Sequence, residues 1–174
     1  IYGGLRFYER LEIKDMLAYL KLLVNPADSI SLKRVINVPA RAIGKTTIEK
    51  LEEMALTEGL SLWDVVAGAG TSPLQPAIIA KLNPFVNLLQ SLKNDLKQMS
   101  LTDFMTHLFD KTGYWKMLVD EKSIEAEGRM ENLEELVNVV EEYVARAQEN
   151  VEEATLEGFL DQASLVSDLD KLDP

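Results

Sequence analysis

The chain has 174 residues, 47% of them apolar and 27% charged, with a formal net charge of −11, which is enough for one sizeable globular domain with its own core. The lack of Cys and the single His exclude disulfides, cysteine nucleophiles and the usual zinc-site spacings, in keeping with a reducing cytoplasm. No apolar run is long enough for a signal-peptide core or a membrane span.

Residues 2–15, YGGLRFYERLEIKD, join a glycine pair, aromatics and arginines to a helix start, with neither an initiator Met nor a charged leader before them. This reads as a segment cut from a larger architecture. Ile13, Leu17, Leu20 and Val24 then recur at helical spacing and predict a helix over 9–24, stopped by Asn25-Pro26. A shorter helix is expected over 29–37. A third begins at Thr46, whose side chain is expected to cap it while Glu49 reaches back in a T-x-x-E capping box, and runs through Ile48, Leu51 and Ala55 to Gly59.

Ser61 caps a further short helix, and residues 71–76, with two prolines, read as a loop. Ile78, Leu82, Phe85, Leu89, Leu92 and Leu96 predict a long helix over 77–98, in which Pro84 either makes a kink or starts the second half. Residues 100–111 form a helix capped by Ser100 with Asp103 and closed by Gly113. Over 125–150, Leu133, Leu136, Val137, Val140, Val144 and Ala147 share one face, with Glu134, Glu135, Glu141 and Glu142 largely elsewhere. No strand pair, repeat or low-complexity tract is visible, so the fold class is all-α, an irregular helical domain.

Charge is unevenly placed. Residues 1–50 carry nine Lys/Arg against five acids, a net of +4, which leaves −15 for the remainder. Residues 120–174 hold seventeen acids against Lys122, Arg129, Arg146 and Lys171. One end therefore suits a polyanion and the other repels it. At the basic end, VPARAIGKTTI over 38–48 is a tight turn that delivers Ile43 and Gly44 to a helix N-terminus. Unpaired backbone N–H groups, the helix dipole, Lys45, Thr46 and Thr47 suit a phosphate there. A plain helix-turn-helix connection, with Gly44 allowing the turn, is the alternative reading of the same residues.

The G-K-T triplet at 44–46 is not a nucleotide-binding phosphate loop. Pro39 occupies the place of its first glycine, and the approach reads as a helix and its exit, not as a buried strand. His107 lacks a neighbouring nucleophile or second histidine and reads as an ordinary hydrogen-bonding helix residue. Trp63 and Trp115 sit among aliphatics and read as core. The Glu doublets at 134/135, 141/142 and 152/153 point about 100° apart on a helix, so they do not converge on a metal or form an acid–base pair.

Three stretches carry a family resemblance: YGGLRFYERLEIKD and its continuation to Leu51, RMENLEEL at 129–136, and TLEGFLDQASLVSD at 155–168. Together they make the chain resemble the central region of UvrD-, PcrA- and Rep-type superfamily 1 DNA helicases. The resemblance implies that residues 1–24 are a remnant of the RecA-like motor lobe called 2A and residues 25–174 are the helical insertion called 2B. The parent would be an ATP-dependent 3′–5′ helicase acting in DNA repair or replication. ATP and Mg would belong to other parts of it, with no cofactor or metal in this fragment and no ATPase activity of its own.

The implied partners are duplex DNA near a single-strand junction, the motor lobes and repair proteins, with no membrane and a cytoplasmic location. The stretch at 38–48 resembles the G-I-G loop of 2B, with Ala42 in the place of its first glycine. A Cβ there costs about 1 kcal/mol or more if the site needs positive φ. Arg41, Ala42, Ile43, Gly44, Lys45, Thr46 and Thr47 are the implied DNA phosphate-binding residues, with Arg6 and Arg10 as single-strand contacts. A protein-interaction or autoinhibitory module built on the acidic helices is the alternative.

Overall fold

The computed structural model describes residues 6–172. Among them are nine α-helices, two short 3-10 turns and no strand. The helices are α1 (Leu11–Val24), α2 (Ser29–Val35), α3 (Lys45–Glu58), α4 (Leu62–Ala67), α5 (Pro76–Gln98), α6 (Leu101–Lys111), α7 (Tyr114–Glu121), α8 (Ile124–Glu149) and α9 (Leu156–Leu172). The fold is all-α, as the periodicity predicts.

Helix α1 is the axis of the packing. Ile13, Met16, Tyr19 and Leu20 are wholly enclosed, and α2, α5, α8 and α9 all lie against this helix. A helix apolar on most of its circumference can only sit inside a core. Two of its carboxylates are buried with it, and each has a partner. Asp15 accepts from Arg34 Nε (2.9 Å) and Tyr114 Oη (2.6 Å). Glu12 accepts from Asn132 Nδ2 (2.5 Å), whose Oδ1 accepts in turn from Arg10 (2.6 Å). The RMENLEEL stretch therefore works in two directions. Leu133 and Leu136 fill the core, while Asn132 and Glu135 tie α8 to the start of α1.

Local signals hold at several helix ends. Ser61 Oγ accepts from Asp64 N (3.1 Å), Ser100 Oγ accepts from Asp103 N (3.2 Å), and Gly113 adopts φ +81 after α6. Pro84 lies inside α5, which continues as one helix through it. One expected cap differs. Helix α3 starts at Lys45, with Gly44 as its N-cap and no side-chain cap hydrogen bond, so Thr46 lies within the first turn and the expected capping box with Glu49 does not form. Trp63 and Trp115 pack against the core but stay half-buried, as do Val137 and Val144. No helix of the described residues is long and apolar enough to cross a membrane.

Candidate nucleic-acid interface

The segment from Ile36 to Gly44 leaves α2 and delivers the chain to the start of α3 through a cis Val38–Pro39 bond. Three side chains hold it. Asn37 Oδ1 accepts from the backbone N–H groups of Arg41 (2.7 Å) and Ile43 (3.1 Å). The Arg41 guanidinium donates to the carbonyls of Val35 (2.8 Å) and Ile36 (3.1 Å) and to Tyr19 Oη (2.7 Å), and it lies 5.0 Å from the centre of the Phe85 ring. Tyr19 Oη donates to the Val38 carbonyl. The last carbonyls of a helix lack intrahelical partners, and a cation near them is favoured by the dipole. Arg41 is thus the C-terminal cap of α2. Burial raises the Tyr19 phenol above its ordinary pKa, opposed by the nearby Arg41 charge.

This frame sorts the seven implied phosphate-binding residues. Ile43 is 1% exposed and anchors the turn in the core. Arg41, implied with Lys45 and the others as a phosphate ligand, is turned inward and spent on carbonyls and a phenol. Ala42, Gly44, Lys45 and Thr46 face solvent, with Thr47 half-buried beside them. Lys45 is 92% exposed, with Glu49 at 3.9 Å as its nearest ion-pair partner. The first intrahelical bond runs from Ile48 N to Gly44 O (3.1 Å), and no side chain caps this end. The N–H groups of the first turn of α3 therefore point outward at the positive end of the helix dipole.

Ala42 has φ +59, the left-handed conformation in which a Cβ is strained. Gly44 has φ −81 and ψ 175, which any residue adopts, and a Cβ built there would meet nothing within 4 Å. The missing first glycine is thus at the position that needs one, and the glycine that is present is not required by the backbone.

Arg6 and Arg10 lie elsewhere. The Arg6 backbone N–H donates to the buried Asp170 (3.0 Å), and its side chain reaches Glu9 (3.9 Å). Arg10 is held on Asn132 and Glu135, over the Phe7 ring at 5.5 Å. The structure does not bring either of them to the α2–α3 turn. His107 Nε2 is 2.7 Å from Asp95, which also accepts from Lys111 Nζ (2.6 Å). Those two hydrogen bonds, Lys111's first, hold the Asp95 carboxyl below the usual carboxylate range. No group of three or more His, Asp or Glu among the described residues could hold a metal. Asn37 and Tyr19 escape a sequence reading, the first as a loop residue and the second as one more large residue on an apolar helix.

The family model for the UvrD-like helicase C-terminal domain matches residues 1–173. The ATP-dependent DNA helicase PcrA of Bacillus subtilis (strain 168) is 38% identical over 173 residues, covering 99% of this chain and 23% of that protein. PcrA of Staphylococcus epidermidis (strain ATCC 12228 / FDA PCI 1200) is 38% identical, and PcrA of Staphylococcus aureus (strain NCTC 8325 / PS 47) is 36% identical, each over 98% of this chain. The chain belongs to the UvrD-like helicase family. It spans about a quarter of the length of these PcrA relatives (23%). Within this UvrD-like chain, the α2–α3 turn and the first turn of α3 bring free N–H groups, hydroxyls and an exposed lysine together at the surface.

Proposed function

We propose that this chain is the duplex-engaging and regulatory segment of an ATP-dependent DNA helicase. Residues 25–174 would form the 2B insertion and residues 1–24 the remnant of lobe 2A. The parent translocates 3′ to 5′ and unwinds DNA in repair or replication in the cytoplasm, and ATP and Mg are bound by parts of it outside this segment. The observation that carries the reading is the uncapped N-terminus of α3. Its outward N–H groups, Thr46, Thr47 and Lys45 offer an anion several donors without any group that reads a base edge. A sugar-phosphate backbone fits such a set.

The test is fluorescence anisotropy of a labelled duplex with a 3′ single-stranded tail, titrated with the chain at low and moderate salt. Wild type should bind with a salt-dependent affinity, and Lys45→Glu should weaken it tenfold or more at low salt. A duplex that binds Lys45→Glu as tightly as wild type would end the proposal.

A second reading, a protein-interaction module, is favoured by a groove of about 540 Å3 between α6, α7 and α8. Phe109, Trp115 and Val137 form its apolar floor, and Asp110 and Glu134 stand on its rim with no cation lining it. A basic segment with one apolar anchor suits it. Such binding should ignore Lys45→Glu and fail in Asp110→Lys/Glu134→Lys.

A further inference from the structure

We infer that Arg41 and the buried Tyr19 are positioning residues for the DNA-contacting turn, not ligands of its phosphate; the inference rests on the duplex-contact reading above. Sequence places Arg41 three residues before Gly44, where a cation next to a helix N-terminus suggests a phosphate ligand. The geometry assigns its charge elsewhere. One guanidinium nitrogen is divided among the carbonyls of Val35, Ile36 and Val38, and the other donates to Tyr19 Oη. The face of the group lies against Phe85. To reach a phosphate, Arg41 would have to abandon the carbonyls that end α2.

Tyr19 completes the connection. Its ring is 0% exposed on the central helix α1, and its hydroxyl accepts from Arg41 while donating to the Val38 carbonyl. The phenol thus touches both the side chain that caps α2 and the backbone that leaves it. Asn37 then fixes the N–H groups of Arg41 and Ile43, on either side of the left-handed Ala42. The backbone between α2 and the exposed Gly44 is thus held at Ile36, Val38, Arg41 and Ile43, so the direction in which the first-turn N–H groups of α3 point is set from inside α1. A residue with no access to solvent would then control affinity for a ligand it cannot touch.

Salt dependence separates a phosphate ligand from a positioning residue. Losing one phosphate contact lowers the slope of log K against log salt by about 0.9, whereas misplacing the turn weakens binding at a nearly constant slope. The experiment measures duplex anisotropy across a salt series for wild type, Tyr19→Phe, Arg41→Gln, their double variant and Lys45→Gln, each verified as folded by circular dichroism. Lys45→Gln should reduce the slope. Tyr19→Phe keeps the ring in the core and removes only the hydroxyl, and it should weaken binding about three- to tenfold, the range expected for one lost hydrogen bond, with the slope unchanged. Arg41→Gln should weaken binding more, also with the slope unchanged, and the double variant should be no weaker than Arg41→Gln alone.

A reduced slope in Arg41→Gln would make Arg41 a phosphate ligand and overturn the inference. So would a Tyr19→Phe variant that binds like wild type beside a weakened Lys45→Gln. If wild type fails to bind the duplex, or Lys45→Gln changes nothing, the duplex-contact reading itself fails and the inference falls with it. That result is distinct from the other two.

Discussion

Replacing Ala42 with Gly should stabilise this chain, against the usual penalty for glycine. The residue is held at φ +59, where a Cβ crowds the following carbonyl oxygen, at a cost of about 1–2 kcal/mol. The side chain is exposed, so deleting its methyl sacrifices little burial. Glycine also gives the unfolded chain more freedom, which offsets the gain by about 0.4–1 kcal/mol. The balance is a stabilisation of roughly 0.5–1 kcal/mol, or about 1–4 °C in Tm for a domain of this size. Urea unfolding followed by helical circular dichroism measures it directly. The midpoint should rise while the slope stays constant, because the surface exposed on unfolding is unchanged. A midpoint that falls by the equivalent of half a kcal/mol or more would mean that the Asn37 and Arg41 frame does not impose a left-handed residue 42.

The other predictions test the core. Gly158 abuts the Tyr143 hydroxyl, and Tyr143 packs edge-on against the buried Phe159. Gly158→Ala should therefore cost about 1–3 kcal/mol as the ring is forced aside, and adding Tyr143→Phe should recover part of the loss in urea melts. Asp15→Ala should cost about 1–3 kcal/mol, since it strips Tyr114 of a buried acceptor and Arg34 of its ion pair; thermal denaturation reads this. Burial raises the pKa of Tyr8 to about 12, with Asp170 adding to the shift, and also raises those of Tyr19 and Tyr114. These groups ionise more readily unfolded, so their contribution to stability is intact below the ordinary value of 10 and declines as pH rises above it, for Tyr8 through the window from 10 to about 12. Urea midpoints measured from pH 8 to 11 should be flat and then fall, and a midpoint that rises above pH 10 would contradict the burial of these phenols.

The helices were legible because their apolar spacing is regular over several turns, and α1, α5 and α8 lie close to where the pattern puts them. What escaped depended on contacts distant in sequence. Glu12 and Asp15 look like solvent-facing charges on an amphipathic helix, yet both are buried, on partners 120 and 99 residues away. The capping box at Thr46 fits the sequence pattern, but Ile43 is anchored in the core and Asn37 takes the N–H groups before it. Those two contacts start the helix at Lys45. Helix α7 has eight residues between two left-handed positions, Gly113 and Lys122, too few turns for periodicity to register. Arg41 shows the same limit at the site. Charge beside a turn suggests exposure, and only the placement of the α2 carbonyls and Tyr19 reveals that the charge is turned inward.

Gly44 gives the sharpest separation of fold from function. Its backbone is extended, and a Cβ would meet no atom of the chain. As an N-cap, glycine is better than alanine by about 0.5–1 kcal/mol, but replacing it also removes about 0.4–1 kcal/mol of unfolded-state freedom. The two effects nearly cancel, so Gly44→Ala should move the urea midpoint by less than the equivalent of about 0.5 kcal/mol. Its effect on binding should be larger. If a phosphate approaches the first turn of α3, a methyl group at residue 44 stands beside the N–H groups that would hold it, and duplex affinity should fall several-fold with stability unchanged. Anisotropy and urea melts on the same preparation decide the matter. Equal losses in both would make Gly44 a structural cap, and an unchanged affinity would count against the proposed DNA contact at this turn.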